Sequence, residues 1–211
     1  MSTDSQVFQE RLSKSFDFDL ATIQRVVRFR DALVDENSRQ NMTRITAPDE
    51  FVDGHVVDCV ELLKSGLLQY PALDIGSGGG VPGLLCALIE PKEWVLTDSE
   101  RSKAEFLSKT ILEMGHSGVS TAAERAEDVL KRQSVGSVVA RAVGKIEKIY
   151  GWIEKCSTWN NIVLLKGPGW EEEWDEFLHS RHRSKLRVSG EHRYVVGPES
   201  KKRVIVRLVR T

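Results

Sequence analysis

Leu73-Asp-Ile-Gly-Ser-Gly-Gly-Gly-Val-Pro-Gly-Leu84 is the stretch on which the fold turns. The apolar run Ala72–Ile75 leading into it has the length of a strand, and Gly83–Ile89 behind it has the composition of a buried helix, so the glycines occupy a strand-to-helix turn. Gly76, Gly78 and Gly80 let the backbone turn tightly and approach a ligand with no Cβ in the way, while the following helix opens with free N–H groups. A nucleotide-like ligand suits such a loop. Gly78-x-Gly80-x-x-Gly83 also meets the dinucleotide fingerprint, so on glycines alone an NAD-dependent oxidoreductase stays open. Asp74 favours another ligand. A carboxylate two residues before the first glycine suits positive charge, as the sulfonium and amino group of S-adenosylmethionine carry, and is out of place beside a pyrophosphate.

Outward from the loop, short apolar runs alternate with helical periodicity. Ala72–Ile75, Trp94–Thr97, Val138–Ala140 and Ile162–Leu165 read as strands, and segments near Gly83–Ile89, Lys103–Met114, Ile146–Cys156 and Glu171–Leu178 as helices. That alternation predicts βαβ units and a mostly parallel α/β sheet covered on both faces. The chain closes as strand, turn, strand: Leu186–Val196 and Arg203–Val209 flank Gly197-Pro-Glu-Ser-Lys-Lys202. Before the loop, Asp19–Glu36 spaces Leu20, Ile23, Val26, Val27, Leu33 and Val34 as an amphipathic helix; Asn41–Pro48 reads as a connector and Pro48 starts another helix. The expected organisation is an N-terminal helical extension, residues 1–70, on one compact α/β unit, residues 71–211.

Composition agrees with that size. A chain of 211 residues, 40% hydrophobic and 29% charged, can build a core, which excludes disorder for most of it. Its longest apolar stretches, such as Val81–Ile89, are far shorter than a bilayer span, and Met1–Leu12 lacks the basic-then-apolar order of a signal peptide, so a cytoplasmic protein without a membrane partner is expected. Cys59, Cys86 and Cys156 are odd in number and lack CxxC or CxxH spacing, so neither a disulfide frame nor a metal site is expected. The net charge of −1 hides an asymmetry: residues 1–70 carry −4, residues 71–180 carry −5 and residues 181–211 carry +8. A C-terminal segment this basic suits phosphates, and a hairpin solvated by Lys and Arg explains it equally well.

Asp98 ends the second strand 18 residues after Gly80, where folds of this kind place an acid on ribose hydroxyls; capping the helix that follows is the plain alternative. Ala123-Glu-Arg-Ala-Glu-Asp128 falls after the third strand, where Glu127 or the backbone of Ala126 can meet an adenine edge, or simply open a helix with acidic residues.

These motifs together resemble the small-subunit ribosomal RNA methyltransferase G family, also called glucose-inhibited division protein B. Asn41-Met-Thr-Arg-Ile resembles its Asn-Leu-Thr segment, His55-Val-Val-Asp-Cys59 its His-Ile-Leu-Asp-Ser motif, and Asp74–Gly83 its glycine loop with the following Pro-Gly. Ala140-Arg-Ala-Val143 and Leu165-Lys-Gly-Pro168 resemble its Ser-Arg-Ala and Leu-Lys-Gly segments. The chain departs from the pattern at Glu36, where an aromatic residue is common, at Cys59 and at Gly79.

The resemblance implies a Rossmann-like class I S-adenosylmethionine-dependent methyltransferase with N-terminal helices and a C-terminal antiparallel hairpin. It implies methyl transfer to N7 of a guanine in 16S rRNA, so the partner is that RNA or the small ribosomal subunit, with no DNA. Cofactor contacts are implied at Gly76, Val81, Ala126, Glu127 and Arg141, beside Asp74, Gly78, Gly80 and Asp98 from the residues themselves. N7 has a lone pair and no proton, so no general base is expected. Arg141 and Lys166, at the ends of the fourth and fifth strands, are the candidate positioning groups. His55 and Asp58, three apart on one helix face, are expected to pair with each other or with Arg141. Arg187, Arg193, Lys201, Lys202 and Arg203 are the candidate RNA contacts.

Overall fold

The structure is a computed structural model that describes residues 2–211. These residues form a seven-stranded sheet of β1 (Ala72–Ile75), β2 (Trp94–Thr97), β3 (Val119–Ala122), β4 (Val135–Arg141), β5 (Trp159–Lys166), β6 (Leu186–Val196) and β7 (Lys201–Arg210). The strand order is β3-β2-β1-β4-β5-β7-β6, with β7 alone running against its neighbours. The expected Rossmann-like sheet with its antiparallel C-terminal hairpin is what the chain builds. Strand register brings the ends of β1, β2 and β4 level, since Ile75 pairs with Thr97 on one side and Ala140 on the other. The residues just beyond, Gly76, Asp98 and Arg141, therefore share one edge of the sheet, where open α/β folds bind ligands.

Alternation along the strands makes two cores. Ala72, Val139, Val163, Leu165 and Ile205 face one side, against α1 (Thr3–Ser15), α2 (Leu20–Asn37), α4 (Val57–Lys64), α5 (Gly83–Ile89) and α6 (Arg101–Met114). Leu73, Val138, Ala140, Ile162, Leu164 and Val206 face the other, against α7 (Ala126–Leu130), α8 (Ile146–Ile153) and α9 (Trp170–Leu178). Residues 2–70 thus complete the first layer of the sheet's own core.

Two N-terminal features extend the sequence expectations. Helix α1 carries few apolar residues, but Phe8 and Leu12 are fully buried, and Ser2 caps it by accepting from the Ser5 N–H at 3.1 Å. Arg30, 2% exposed, fastens α1 to the rest by donating to Asp4 at 3.1 Å and to the Thr46 carbonyl at 2.5 Å. The helix expected from Pro48 is interrupted: α3 (Pro48–Phe51) passes through a π-helical turn, Val52–Val56, into α4. The wide turn contains Gly54 and His55, and such turns recur at functional sites.

Candidate active site

The loop after β1 is held from beneath. Asp74, 1% exposed, accepts from the Gly83 N–H at 3.0 Å, and its own carbonyl accepts from Thr97 Oγ1 at 2.9 Å and Ser77 Oγ at 3.1 Å. Burial pushes the Asp74 carboxyl up to about 7, against the Gly83 hydrogen bond, which favours the charged form. Two sequence expectations change here. The carboxylate does not stand in the open beside a ligand, and the first N–H of α5 is already spent on it. A helix N-terminus closed in this way has little to offer a pyrophosphate. Gly76, Gly78 and Gly80 all have positive φ, at 63°, 51° and 90°. Their surroundings differ: a Cβ on Gly78 would meet only the Gly76 carbonyl at 3.8 Å, whereas one on Gly80 would press Leu107 at 3.0 Å and Phe29 at 3.2 Å. The N-terminal helix α2 therefore lies directly on the loop, with Leu33 2.8 Å from where a Cβ on Gly79 would sit.

Asp98 serves the loop and the next helix at once. Its Oδ2 accepts from the Gly78 N–H and its Oδ1 from the Glu100 N–H, each at 2.9 Å. A carboxylate has about four lone-pair sites, so Asp98 keeps acceptor capacity for hydroxyls in the cleft it lines. That cleft gathers Gly76, Asp98, Ala126 and Glu127. The first residues of α7 contribute N–H groups without intrahelical partners. Val143 and Trp152 give it an apolar wall that the sequence reading missed, because nothing in the spacing of α8 shows which apolar residue turns toward the cleft. Val81 packs half-buried on the core shared with the N-terminal helices, and Gly80 is buried under α2. Neither lines the cleft.

Arg141 belongs to the neighbouring pocket. Its Nη1 donates to Asp58 Oδ2 at 2.8 Å and to the Gly54 carbonyl at 2.7 Å, and Nη2 donates to His55 Nδ1 at 2.7 Å. His55 and Asp58 do pair with it, and Tyr194 of β6 donates to Asp58 Oδ1 at 2.7 Å. Because the guanidinium has no acceptor to offer, Nδ1 must be the lone-pair nitrogen of a neutral ring, and Nε2–H donates to Thr43 Oγ1 at 3.2 Å. Burial, followed by the Arg141 charge, lowers the His55 pKa to about 3. Lys166 is also engaged, donating to Glu173 at 2.7 Å and to the Gly144 carbonyl at 3.0 Å. The expectation that Arg141 and Lys166 stand free for phosphate is corrected: both are ion-paired within the protein.

The five basic residues of the hairpin do not form one patch. Cross-strand partners share a face, so Arg203 with Tyr194 and Arg187 with Val209 lie on the α4 side, whereas Arg193 and Lys202, opposite Val204 and Val195, face α9. Arg193 is held by Glu171 at 2.7 Å and Glu191 at 2.8 Å, and Lys201 pairs with Glu199 at 3.1 Å. Among the described residues no group of three or more His, Cys, Asp or Glu side chains is placed to hold a metal, and no helix is long and apolar enough to cross a membrane.

Comparison with known proteins gives this site its context. Residues 22–200 match the family model described as rRNA small subunit methyltransferase G. A ribosomal RNA small subunit methyltransferase G of Solibacter usitatus is 30% identical over 207 residues, covering 95% of this chain and 99% of that one. One from Rhodopirellula baltica is 34% identical over 145 residues, 68% of this chain and 62% of the relative's length. Among solved structures, the tRNA (uracil-54, C5)-methyltransferase of Pyrococcus abyssi superposes with a TM-score of 0.56 at 15% identity, over 80% of this chain and 40% of that one, a likeness of fold. With the glycine loop, the strand order and nearly the full length of the chain in agreement, the protein belongs to the rRNA small subunit methyltransferase G family.

Proposed function

We propose that the chain transfers a methyl group from S-adenosylmethionine to N7 of a guanine in 16S rRNA, acting on that RNA or on the small subunit in the cytoplasm. The observation that carries the cofactor reading is Asp74 at the N-terminus of α5: a buried carboxylate under the glycine loop favours a cationic ligand and disfavours the dinucleotide of an oxidoreductase. The donor, when bound, supplies a methyl group on a sulfonium that a lone pair can attack. Asp98 would take the ribose hydroxyls, the opening N–H groups of α7 the adenine edge, and Val143 with Trp152 its apolar face. The helices of residues 1–70, extended onto the unit of residues 71–211, would hold the loop through Leu33 and Phe29.

N7 carries an in-plane lone pair and no proton, so the residues need to orient the reactants and need not remove a proton. Orientation alone can supply roughly 7–11 kcal/mol at its upper end. His55 fits this division, since a neutral ring titrating at about 3, with Nδ1 already bonded to Arg141, cannot act as a base near neutrality. Single-turnover rates at saturating cofactor are expected to be nearly flat from about pH 6.5 to 8.5, where a base-assisted transfer would titrate. A steep rise that disappears in His55→Gln would replace N7 by a target that must lose a proton.

The loop assignment is tested at Gly78. Space around its Cβ is open, so Gly78→Val costs backbone strain of about 1–2 kcal/mol without a collision in the core. It should remain folded and lose most of its S-adenosylmethionine affinity by calorimetry. Folded protein binding as tightly as before would remove the loop from the cofactor site. Tight binding of NAD would restore the oxidoreductase, and cofactor binding without methylation of rRNA would leave a non-catalytic RNA-binding module.

A further inference from the structure

A second pocket, of about 370 Å³, opens beside the ends of β4 and β5, and the segment Arg141–Gly144 is the wall between it and the glycine-loop cleft. Val143 faces the cleft, where its side chain approaches Gly76, and Arg141, Ala142 and Gly144 line the pocket. Ala142, in the middle of the wall, has φ +58°. An alanine holds that left-handed conformation only where its surroundings impose it, and such strain collects at functional sites. Across the pocket stand Asp58, Lys166 and, from the hairpin, Tyr194 and Arg203.

Charge decides what this pocket takes. Arg141 is neutralised by Asp58 at 2.8 Å and Lys166 by Glu173 at 2.7 Å. Arg203 is different: among the described residues no ion pair or hydrogen bond engages its guanidinium, which lies across Gly167 with Nη1 3.3 Å from where a Cβ would stand. The pocket therefore offers one unspent positive charge at its rim and an aromatic ring, Tyr194, directly across the strand pair from it. One phosphate and one flat base match that set, since bases taken out of a stack are commonly held on aromatic side chains and a guanidinium fork suits phosphate.

We propose that this pocket seats the target nucleotide, turned out of the RNA, with its base beside Tyr194 and Ala142 and its phosphate on Arg203. The proposal rests on the methyltransferase reading above and names that reaction's nucleotide subsite. A phosphate held equally before and during transfer appears in KM and leaves kcat alone. With small subunits lacking this methylation as substrate, Arg203→Gln is expected to raise KM about tenfold at nearly unchanged kcat. It should also flatten the dependence of log KM on log salt by about 0.7–0.9. Lys202→Gln removes the same charge one residue away on the opposite face and should raise KM by less. Calorimetric affinity for S-adenosylhomocysteine should be the same in wild type and both variants, which reports an intact fold and cofactor cleft. Should Arg203→Gln fail to bind it, Arg203→Lys carries the test: the charge stays but the fork is lost, so a KM rise is still expected. Equal KM and salt slopes for the two glutamine variants, a fall in kcat at constant KM, or in the fallback an unchanged KM for Arg203→Lys, would overturn the subsite. Wild-type protein that binds S-adenosylhomocysteine yet methylates no rRNA would overturn the enzymatic reading beneath it.

Discussion

Replacing Arg141 with methionine is expected to lower the free energy of unfolding by about 3–5 kcal/mol, the cost of breaking a buried ion pair from one side. Methionine approximates the apolar stem, so the loss falls on the guanidinium and its bonds to Asp58, Gly54 and His55. Asp58 is 5% exposed and would keep only the Tyr194 hydroxyl as a donor. The double variant Arg141→Met, Asp58→Asn removes the stranded charge and should recover more than half of the loss, because an amide is far cheaper to bury than a carboxylate. Urea unfolding at equal m-values measures both. A shift below about 1 kcal/mol for the single variant would mean that apolar contacts alone hold the N-terminal helices to β4.

How far the sequence discloses this arrangement depends on the kind of signal each part leaves. Ala72–Ile75, Trp94–Thr97, Gly83–Ile89 and Leu186–Val196 match their expected bounds because an apolar run is bracketed by turn residues at both ends. Strands β4 and β5 are longer than expected, and the reason is polar. Ser137 and Asn161 look like strand-breaking residues, yet they are 0% and 1% exposed and hydrogen-bond each other at 2.8 Å across the two strands. Pairing across strands cannot be seen in either strand alone. The π-helical turn at Val52–Val56 is similarly hidden, since one wide turn shifts the apolar spacing by less than a short helix can reveal. Within the site, the glycine loop and Asp98 are legible because backbone conformation demands those residue types. The partners that commit Lys166 to Glu173 and Arg193 to Glu171 are not, because they come from α9, whose approach is decided by tertiary packing. The split of the basic hairpin follows from strand alternation and is readable once the register is known.

Asp74→Asn should stabilise the ligand-free protein near pH 8 and weaken its hold on S-adenosylmethionine. The Asp74 carboxyl titrates at about 7 in the folded protein against an ordinary value of 3.8, so between those values the folded state keeps a proton that the unfolded chain has released. Stability therefore falls as pH rises through that window, by up to roughly 4 kcal/mol. Asparagine can still accept from the Gly83 N–H and has no charge to bury, which removes the penalty. His55 works in the opposite direction. Its ring titrates at about 3 when folded and near 6.5 when unfolded, so stability is lost as pH falls through that range. The two slopes oppose each other from about pH 4 to 6.5, and the wild-type profile should be nearly level there. In Asp74→Asn the His55 slope is uncovered: stability should climb steeply from pH 4 to about 6.5 and then level off. The same charge acts on the ligand, because a cationic sulfonium above the loop favours the ionised carboxylate. Affinity for S-adenosylmethionine should fall more than that for S-adenosylhomocysteine, whose sulfur is neutral. Denaturant titrations across pH 4 to 8 and two calorimetric titrations check both halves. A wild-type profile as steep as the variant's would mean that Asp74 stays ionised throughout the folded state. Equal losses for the two ligands would mean that the carboxylate shapes the loop without attracting the methyl donor's charge.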